Sequence, residues 1–291
     1  MILVTGATGY VGSHLLARLA GAGKPVRGLV RHADAQLPAG VEALRGDVTE
    51  PDSLAAAVDG VEVVIHCAAI TGDRKEPHRG AYDEVNRQGT ANLVAAARAA
   101  AVQRLVVMSG LGCKPAPAGT YMATRWGLEE AVRKGGIPYV ILQPSVLFGA
   151  GAPFVSALAN VARWSPVLPA LGGGATRFQP LWIEDLVTCL VAAITRDELR
   201  GAAHALGGAE ILTFREVLQT IAAALGKRRL ILPVPLAIAR LQAQALTALL
   251  PKPPLSPAAI ELFSFENATD LDSVERRFQF QPKGFREHPL P

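Results

Sequence analysis

Short apolar runs alternate along this chain with longer stretches in which apolar residues recur every three or four positions. The short runs lie at residues 2–4, 25–31, 41–45, 61–66, 104–109 and 139–143. Near-continuous apolar runs of this length are typical of strands buried on both faces of a parallel sheet. The stretches between them have the spacing of helices that cover such a sheet. The pattern predicts an α/β fold.

The first short run ends in three glycines, Gly6, Gly9 and Gly12, spaced three residues apart. Residues 11–19 then take up a helical spacing, so the glycines lie in a strand-to-helix turn. Glycine lets the backbone approach a ligand closely, and the N–H groups at a helix start attract a pyrophosphate. An ordinary tight turn is the alternative. The strand-turn-helix context favours a dinucleotide site formed by Gly6, Thr8, Gly9, Tyr10, Val11 and Gly12.

The stretch from Thr5 to Gly12 resembles the short-chain dehydrogenase/reductase superfamily, particularly its extended and atypical branches. The resemblance implies a doubly wound Rossmann sheet that binds NAD(H) or NADP(H). The stretches 144–149, 165–169 and 172–180 are similar to the short-chain-dehydrogenase-like accessory subunit of respiratory complex I and its stand-alone bacterial relatives. Members of that group hold NADP(H) while departing from the usual catalytic pattern.

The end of the second predicted strand selects the nucleotide. An acidic residue at this position commonly holds the ribose 2′-hydroxyl of NAD, whereas an arginine accommodates the 2′-phosphate of NADP. This chain has Arg31 and His32 there, and its next carboxylate is Asp34. We therefore expect NADP(H) to be favoured over NAD(H), with Arg31 as an ordinary surface charge the alternative.

The resemblance also implies further cofactor contacts. Residues 46–48 resemble the adenine-contacting Asp-Val pair, 67–69 the segment under the ribose, 86–92 the Asn-x-x-Gly-Thr-x-Asn signature, and 144–149 the turn beside the nicotinamide. The residues implied are Asp47, Val48, Cys67, Ala68, Ala69, Asn86, Pro144 and Val146. Asp47 as a turn residue and Asn86 in a structural or water-ordering role are the alternatives. We expect His66 to pack at a strand end.

The catalytic pattern of the superfamily is altered. That pattern combines a serine, a tyrosine and a lysine four residues beyond the tyrosine, which together polarise a carbonyl and exchange a proton with it. Here Tyr121 is followed by Arg125, and Leu111 occupies the usual serine position, with Ser109 nearby. Tyr121, Arg125 and Ser109 are the catalytic candidates, and Tyr121 and Arg125 are also expected to contact cofactor. A packed aromatic at Tyr121 and a strand-end cap at Ser109 are the alternatives.

Composition narrows the function classes. The 291 residues are 50% hydrophobic with a net charge of +4, and no dense basic stripe interleaved with aromatics is present, so nucleic-acid binding is disfavoured. The three cysteines lack metal-ligand spacing and do not suggest a disulfide framework. We expect no metal site and a cytoplasmic location. Because the first strand begins at residue 2, we expect no leader before it.

We expect residues 1–150 to form the nucleotide domain, with segments within about 176–208 returning to its sheet, and residues 151–291 to form a small C-terminal α/β lobe for a substrate or partner. Glu184 and Asp185 should begin a helix, and Thr213 with Glu216 should form a capping box. Residues 251–254 should form a stiff connector.

Residues 230–250 are unusually apolar. The prolines at 233 and 235 leave a helix shorter than the ~20 residues needed to cross a bilayer. Core or lid packing is the default expectation. Attachment to a membrane surface, beside the basic residues 227–229, is the alternative.

Three functions remain open from the sequence. The first is a nucleotide-binding relative of the complex I accessory subunit, whose NADP(H) is structural or sensory. The second is an active NADPH-dependent reductase or epimerase-like enzyme that uses Tyr121 on a carbonyl, nucleotide-sugar or quinone. The third is a partner-binding module of a respiratory assembly.

Overall fold

The computed structural model describes residues 1–249 and 256–288. The chain divides into two compact units. The first contains residues 1–70, 76–143 and 186–204, and the second contains residues 71–75, 144–185 and 205–291. Residues 144–150 thus cluster with the second unit. The predicted connector at residues 251–254 lies outside the described residues.

Strands and helices alternate along the first half of the chain. The strands are β1 (Ile2–Thr5), β2 (Val26–Val30), β3 (Val41–Arg45), β4 (Val63–His66), β5 (Arg104–Met108), β6 (Tyr139–Pro144), β7 (Leu147–Phe148), β8 (Val167–Leu171), β9 (Arg177–Phe178), β10 (Leu181–Trp182), β11 (Ala202–Leu206), β12 (Leu212–Thr213) and β13 (Leu230–Val234). The α-helices are α1 (Tyr10–Gly21), α2 (Leu54–Val58), α3 (Gly89–Ala99), α4 (Tyr121–Lys134), α5 (Pro153–Trp164), α6 (Ile183–Thr195), α7 (Phe214–Ala224), α8 (Leu236–Leu249), α9 (Pro257–Glu261) and α10 (Ser273–Phe278). A π-helical segment, Asp83–Gln88, precedes α3.

The main sheet has seven strands in the order β11-β6-β5-β4-β1-β2-β3. β1 lies between two parallel neighbours, with Ile2 opposite both Val26 and Val63. The chain moves outward from β1 to β3 and then crosses to β4, so strand order reverses between β1 and β4. Ligands of doubly wound sheets bind outside the carboxyl ends of the strands at such a point. The predicted doubly wound α/β sheet is confirmed.

The apolar runs form the core of this first unit. Leu3, Val64 and Val106 in the central strands are fully buried, as is Leu93 on α3. Burying a side chain of this size stabilises the fold by about 2 kcal/mol relative to leaving it in water. Helices cover both faces of the sheet, and this explains why its strands are continuous apolar runs.

In its described residues, the second unit is built around an aromatic cluster and three two-stranded sheets, β7–β10, β9–β12 and β8–β13. Phe178 contacts Phe154, Phe214 and Phe263, with ring centroids 5.6, 5.8 and 5.4 Å away. The predicted capping box forms: the Thr213 hydroxyl accepts from the Glu216 N–H, and the Glu216 carboxylate accepts from the Thr213 N–H.

Within residues 230–249, the apolar segment packs on one side only. Its helix α8 buries Ala239 and Ala243 but leaves Ile238 and Leu241 exposed. The alanines face the protein because small side chains let the helix pack closely. No helix within residues 1–249 and 256–288 is long and apolar enough to cross a membrane.

Candidate nucleotide-binding site

The glycine turn between β1 and α1 is closed so tightly that Gly6 and Gly12 leave no room for a side chain. Gly6 has a φ of +67°, and a Cβ on it would lie 2.7 Å from the backbone of Cys67 and Ala68. A Cβ on Gly12 would lie 2.1 Å from the Gly6 carbonyl oxygen, and the Gly9 N–H donates to that same oxygen at 2.9 Å. The turn brings the end of β1 against the end of β4.

The start of α1 is open to a ligand. Gly9 is the N-cap and supplies no side-chain acceptor to the first turn of the helix. Thr8 is exposed, whereas Tyr10 and Val11 are half-buried. Helix N–H groups that no side chain caps form an anion site, and the glycines let a phosphate approach the backbone. The residues present therefore fit a dinucleotide pyrophosphate; their contacts with it stay predictions.

The side chains that follow β2 are exposed to solvent, whereas the carboxylate that follows β3 accepts hydrogen bonds within the protein. Arg31 and His32, directly after β2, are exposed. Asp47, just after β3, uses one carboxylate oxygen to accept from both the N–H and the hydroxyl of Thr49, at 2.9 Å each. Val48 is buried. The structure thus gives Asp47 a turn-stabilising role, and its adenine contact stays a prediction.

The end of β4 is fixed by a buried histidine. The two ring nitrogens of His66 lie 2.7 Å from the Thr5 hydroxyl and 2.9 Å from the Thr90 hydroxyl. Burial, and then the positive charge of Arg125, lower the pKa of His66 to about 4. The ring is therefore neutral at neutral pH, and it packs at the strand end as predicted. Cys67 follows it, and burial raises the pKa of that thiol to about 12, so it is not a thiolate.

Asn86 ties the segment after β4 to α4. Its side-chain oxygen accepts from the Ile70 N–H at 2.8 Å, and its amide donates to the Ile70 carbonyl at 3.0 Å and to the Thr124 hydroxyl at 3.3 Å. Asn86 is fully buried, and it lies in the π-helical segment. The structure thus shows that Asn86 has a structural role.

Tyr121 and Arg125 lie one turn apart at the start of α4. The Tyr121 ring packs edge-on against Tyr82, with centroids 5.3 Å apart. Arg125 is 7% exposed; its guanidinium donates to the Met108 carbonyl at 3.5 Å and lies against Gly110. The structure therefore brings Arg125 to the end of β5, beside the segment that carries Ser109.

Pro144 and Val146 belong to the second unit. Pro144 ends β6, and the Val146 N–H donates to the side-chain oxygen of Asn267 at 3.1 Å. Asn267 also accepts from the Ser145 hydroxyl at 2.7 Å. This asparagine therefore fixes the turn, and the predicted cofactor contacts of Pro144 and Val146 stay predictions.

The glycine turn and the strand order point to one family. Residues 2–205 match the model of the NAD dependent epimerase/dehydratase family. The chain belongs to this family. The resemblance to extended short-chain dehydrogenases is thereby confirmed for the part of the chain that includes the turn, Tyr121 and Arg125.

Known relatives of this epimerase/dehydratase-family protein include reductases and a respiratory subunit. Ceramide reductase of Caulobacter vibrioides is 32% identical over 230 residues, covering 71% of this chain and 71% of that protein. The (4-alkanoyl-5-oxo-2,5-dihydrofuran-3-yl)methyl phosphate reductase of Streptomyces griseus is 33% identical over 238 residues, covering 78% and 74%. Subunit 9 of the NADH dehydrogenase [ubiquinone] 1 alpha subcomplex of Arabidopsis thaliana is 25% identical over 301 residues, covering 99% and 74%.

Solved structures share the fold of this epimerase/dehydratase-family protein. MoeE5 in complex with UDP-glucose and NAD matches with a TM-score of 0.75 and 23% identity, over 98% of this chain and 95% of that chain. The UDP-glucose 4-epimerase of Thermus thermophilus in complex with NAD matches with a TM-score of 0.66 and 23% identity, over 94% and 96%.

The buried carboxylate of Glu129, which was not predicted from the sequence, contacts the catalytic candidate Ser109. Glu129, on α4 one turn after Arg125, is fully buried. It accepts from the Ser109 hydroxyl at 2.5 Å, from the Gln143 amide at 2.7 Å and from Arg133 at 2.5 Å. The signal available was its spacing, eight residues after Tyr121 on one helix face.

The Glu129 cluster also reaches Cys113. Burial, and then the negative charge of Glu129, raise the pKa of the Cys113 thiol to about 12. Cys113 is therefore a neutral thiol rather than a nucleophile. Within residues 1–249 and 256–288, no group of three or more His, Cys, Asp or Glu side chains is placed to hold a metal ion.

We expect acid to destabilise the protein through His66. Its pKa is about 4 when folded and about 6.5 in an unfolded chain, so below neutrality the unfolded state binds the extra proton. The stability contributed by neutral His66 is present above about pH 6.5 and is lost as the pH falls toward about 4. The free energy of unfolding, measured with denaturant, should be about 2 kcal/mol lower at about pH 5 than at about pH 7 because of His66.

The matched variant for this measurement is His66→Gln, which keeps hydrogen-bonding groups between Thr5 and Thr90 but does not titrate. Its pH dependence should be weaker than that of the wild type by the same amount. His32→Gln, at an exposed histidine, should leave the wild-type dependence unchanged. Equal slopes for wild type and His66→Gln would contradict the assignment.

Proposed function

We propose that this protein binds NADP(H) in preference to NAD(H) and keeps the nucleotide as a structural or sensory group with weak or no turnover. The observation that carries the proposal is the state of the other two catalytic candidates, Arg125 and Ser109. Arg125 stands where the family has lysine, and the Ser109 hydroxyl donates to the buried Glu129 carboxylate.

Arg125 limits proton transfer. A guanidinium stays protonated in proteins because its pKa lies above about 12. Arg125 can hold a ribose hydroxyl and favour an ionised Tyr121, but it cannot release a proton and take it back as lysine does. The bound nicotinamide would supply the hydride chemistry, and these residues would leave the accompanying proton without a relay.

Ser109 limits carbonyl polarisation. Its hydroxyl has one proton, and that proton is directed at Glu129 at 2.5 Å. A hydrogen bond to a carboxylate is stronger than one to a neutral carbonyl. A substrate carbonyl would therefore have to compete with Glu129 for the Ser109 hydroxyl proton. This competition supports slow chemistry at Tyr121.

The preference for NADP(H) rests on Arg31. We expect Arg31→Ala to weaken NADPH binding about tenfold, because a charge-assisted bond to the 2′-phosphate is lost, while NADH binding stays unchanged. Calorimetric titration of nucleotide-stripped protein measures both. Lys24→Ala is the control, since Lys24 is exposed at the opposite end of β2. Wild-type protein that binds NADH as tightly as NADPH would overturn the preference.

Turnover is tested after binding. The nucleotide that binds best is incubated with aldehydes, ketones, quinones and nucleotide-sugars, for wild type and for Tyr121→Phe. We expect similar nucleotide affinity and thermal stability for both proteins and no measurable Tyr121-dependent oxidation of NADPH. NADPH oxidation that disappears in Tyr121→Phe would refute the structural or sensory role.

A second candidate function is an active NADPH-dependent reductase or epimerase-like enzyme. The four-residue spacing of Tyr121 and Arg125 on α4 favours it, and two of the relatives described above carry reductase names. In this case Tyr121 exchanges the proton, and Arg125 holds the ribose and stabilises the phenolate. Tyr121-dependent turnover is the result that would select this candidate.

A partner role in a respiratory assembly is the third candidate. Its support is the similarity to the Arabidopsis NADH dehydrogenase subunit, which covers 99% of this chain and so includes the second unit. Nucleotide-stripped protein that binds none of NADPH, NADP, NADH and NAD would favour this role. Binding of any of the four would favour the nucleotide-holding functions, because the glycine turn would then be in use.

A further inference from the structure

Helix α8 carries large apolar side chains outward. Ile238, Leu241 and Leu249 are 50%, 70% and 79% exposed, whereas Ala239 and Ala243 are fully buried. The three large residues are separated by three and eight positions, so they share one side of the helix. A surface helix in water has the reverse arrangement, with its large apolar residues inward. This side of α8 is therefore suited to an apolar medium.

The sheet formed by β8 and β13 also exposes large apolar side chains. Leu230 and Leu232 on β13 are 60% and 44% exposed, while Leu168 and Ala170 on β8 are buried. Alternate residues of a strand point to opposite faces. One face of this sheet therefore packs inside the unit, and the other presents leucines to its surroundings.

Trp164 is held beside this outer face. It ends α5 and is 84% exposed. Arg229 donates to the carbonyls of Ala162 and Arg163 at 2.7 and 3.1 Å, and the Leu230 N–H donates to the Pro166 carbonyl at 3.0 Å. These bonds fix the turn that carries Trp164 next to the first residue of β13. An exposed tryptophan anchored in this way is typical of a membrane interface.

The two segments that supply these exposed apolar residues carry basic side chains and no acidic ones. Residues 144–183 and 217–260 contain no Asp or Glu, although the chain has 25 acidic residues. The same two segments contain Arg163, Lys227, Arg228, Arg229 and Arg240. An open depression of about 460 Å³ is lined by Lys227, Arg228, Arg229 and Ile231. This charge is complementary to phosphate groups.

We propose that the second unit docks on the surface of a bilayer that contains anionic phospholipids. The docking surface consists of Trp164, Leu230, Leu232, Ile238, Leu241 and the basic residues Arg163, Lys227, Arg228 and Arg240. The apolar side chains enter the interface, and the basic side chains contact headgroup phosphates. Exposed tryptophan and leucine together with clustered positive charge provide the two signals that stable peripheral binding requires. This inference does not depend on nucleotide binding or turnover.

The test is co-sedimentation of the full chain with vesicles of phosphatidylcholine alone and with added phosphatidylglycerol. We expect binding to the anionic vesicles, which weakens strongly when salt is raised from about 0.05 M to about 0.5 M. Lys227→Glu/Arg228→Glu should weaken binding at least about tenfold. Trp164→Ser/Leu241→Ser should weaken it even at low salt, and binding should shift wild-type tryptophan emission to shorter wavelength.

Two control variants distinguish binding through this surface from non-specific adsorption to vesicles. Leu271→Ser removes an apolar residue that is 56% exposed beside Asp270 and Asp272, and Lys24→Glu reverses an exposed charge in the first unit. Both should bind vesicles like the wild type, and melting temperatures of all variants should confirm that they fold. Failure to bind anionic vesicles at low salt, or equal loss in the controls, would overturn the proposal. Binding only to membranes that retain their proteins would also overturn it, in favour of a protein partner.

Discussion

Gly12→Ala should strongly weaken nucleotide binding and lower the free energy of unfolding by about 3 kcal/mol. The new Cβ would lie 2.1 Å from the carbonyl oxygen of Gly6 and 2.9 Å from its carbonyl carbon. Both are backbone atoms, so the turn itself must open. An opened turn no longer aims the first N–H groups of α1 at a pyrophosphate. Calorimetry with NADPH should show at least about 100-fold weaker binding, equivalent to about 2.7 kcal/mol.

Gly21→Ala is the matched control on the same helix. A Cβ at Gly21 meets no atom within 4 Å. Alanine is favoured over glycine in a helix by up to about 1 kcal/mol. We therefore expect unchanged nucleotide affinity and equal or greater stability. Full NADPH affinity in Gly12→Ala would show that the nucleotide does not use this turn.

Glu129→Ala should cost about 3 kcal/mol of stability, because it leaves the donors of Ser109 and Gln143 without their acceptor and opens a cavity. Arg133 contributes less, since it is 28% exposed and can turn to water. Urea unfolding measures the loss. Glu129→Gln keeps the volume and one acceptor oxygen but turns an amide donor toward its neighbours, so it should recover only part of the stability.

Glu130→Ala tests whether burial makes the difference. Glu130 is the next residue of α4, and it pairs with Lys134 at 2.8 Å and with Arg133 at 3.5 Å at the surface. Exposed pairs contribute less than about 1 kcal/mol, so this variant should remain close to the wild type. Equal losses for Glu129→Ala and Glu130→Ala would show that the hydrogen bonds of Glu129 do not carry its effect.

The Glu129 cluster also bears on catalysis. If Glu129→Gln released the Ser109 hydroxyl toward a substrate, Tyr121-dependent turnover would rise in that variant. The same experiment in Tyr121→Phe would then show no rise. This comparison distinguishes a serine restrained by its carboxylate from a site in which Arg125 alone limits the chemistry.

The sequence by itself determined the features that depend on neighbouring residues. The short apolar runs located the strands of the first sheet, and the spacing of Gly6, Gly9 and Gly12 located the closed turn at the start of α1. The capping box of Thr213 and Glu216 was also readable, because its partners lie three residues apart. Each of these features follows from backbone geometry within one element or one turn.

The tertiary structure decided which residues from distant segments come into contact. The Glu129 carboxylate meets Ser109 from the end of β5 and Gln143 from β6, and no local pattern pairs those three residues. The sequence of α8 likewise shows an apolar helix but not which side is buried. Close packing selected Ala239 and Ala243 for the inner side, because small side chains allow the nearest approach. Long-range pairing and packing depend on the whole fold, whereas hydrophobic periodicity is local.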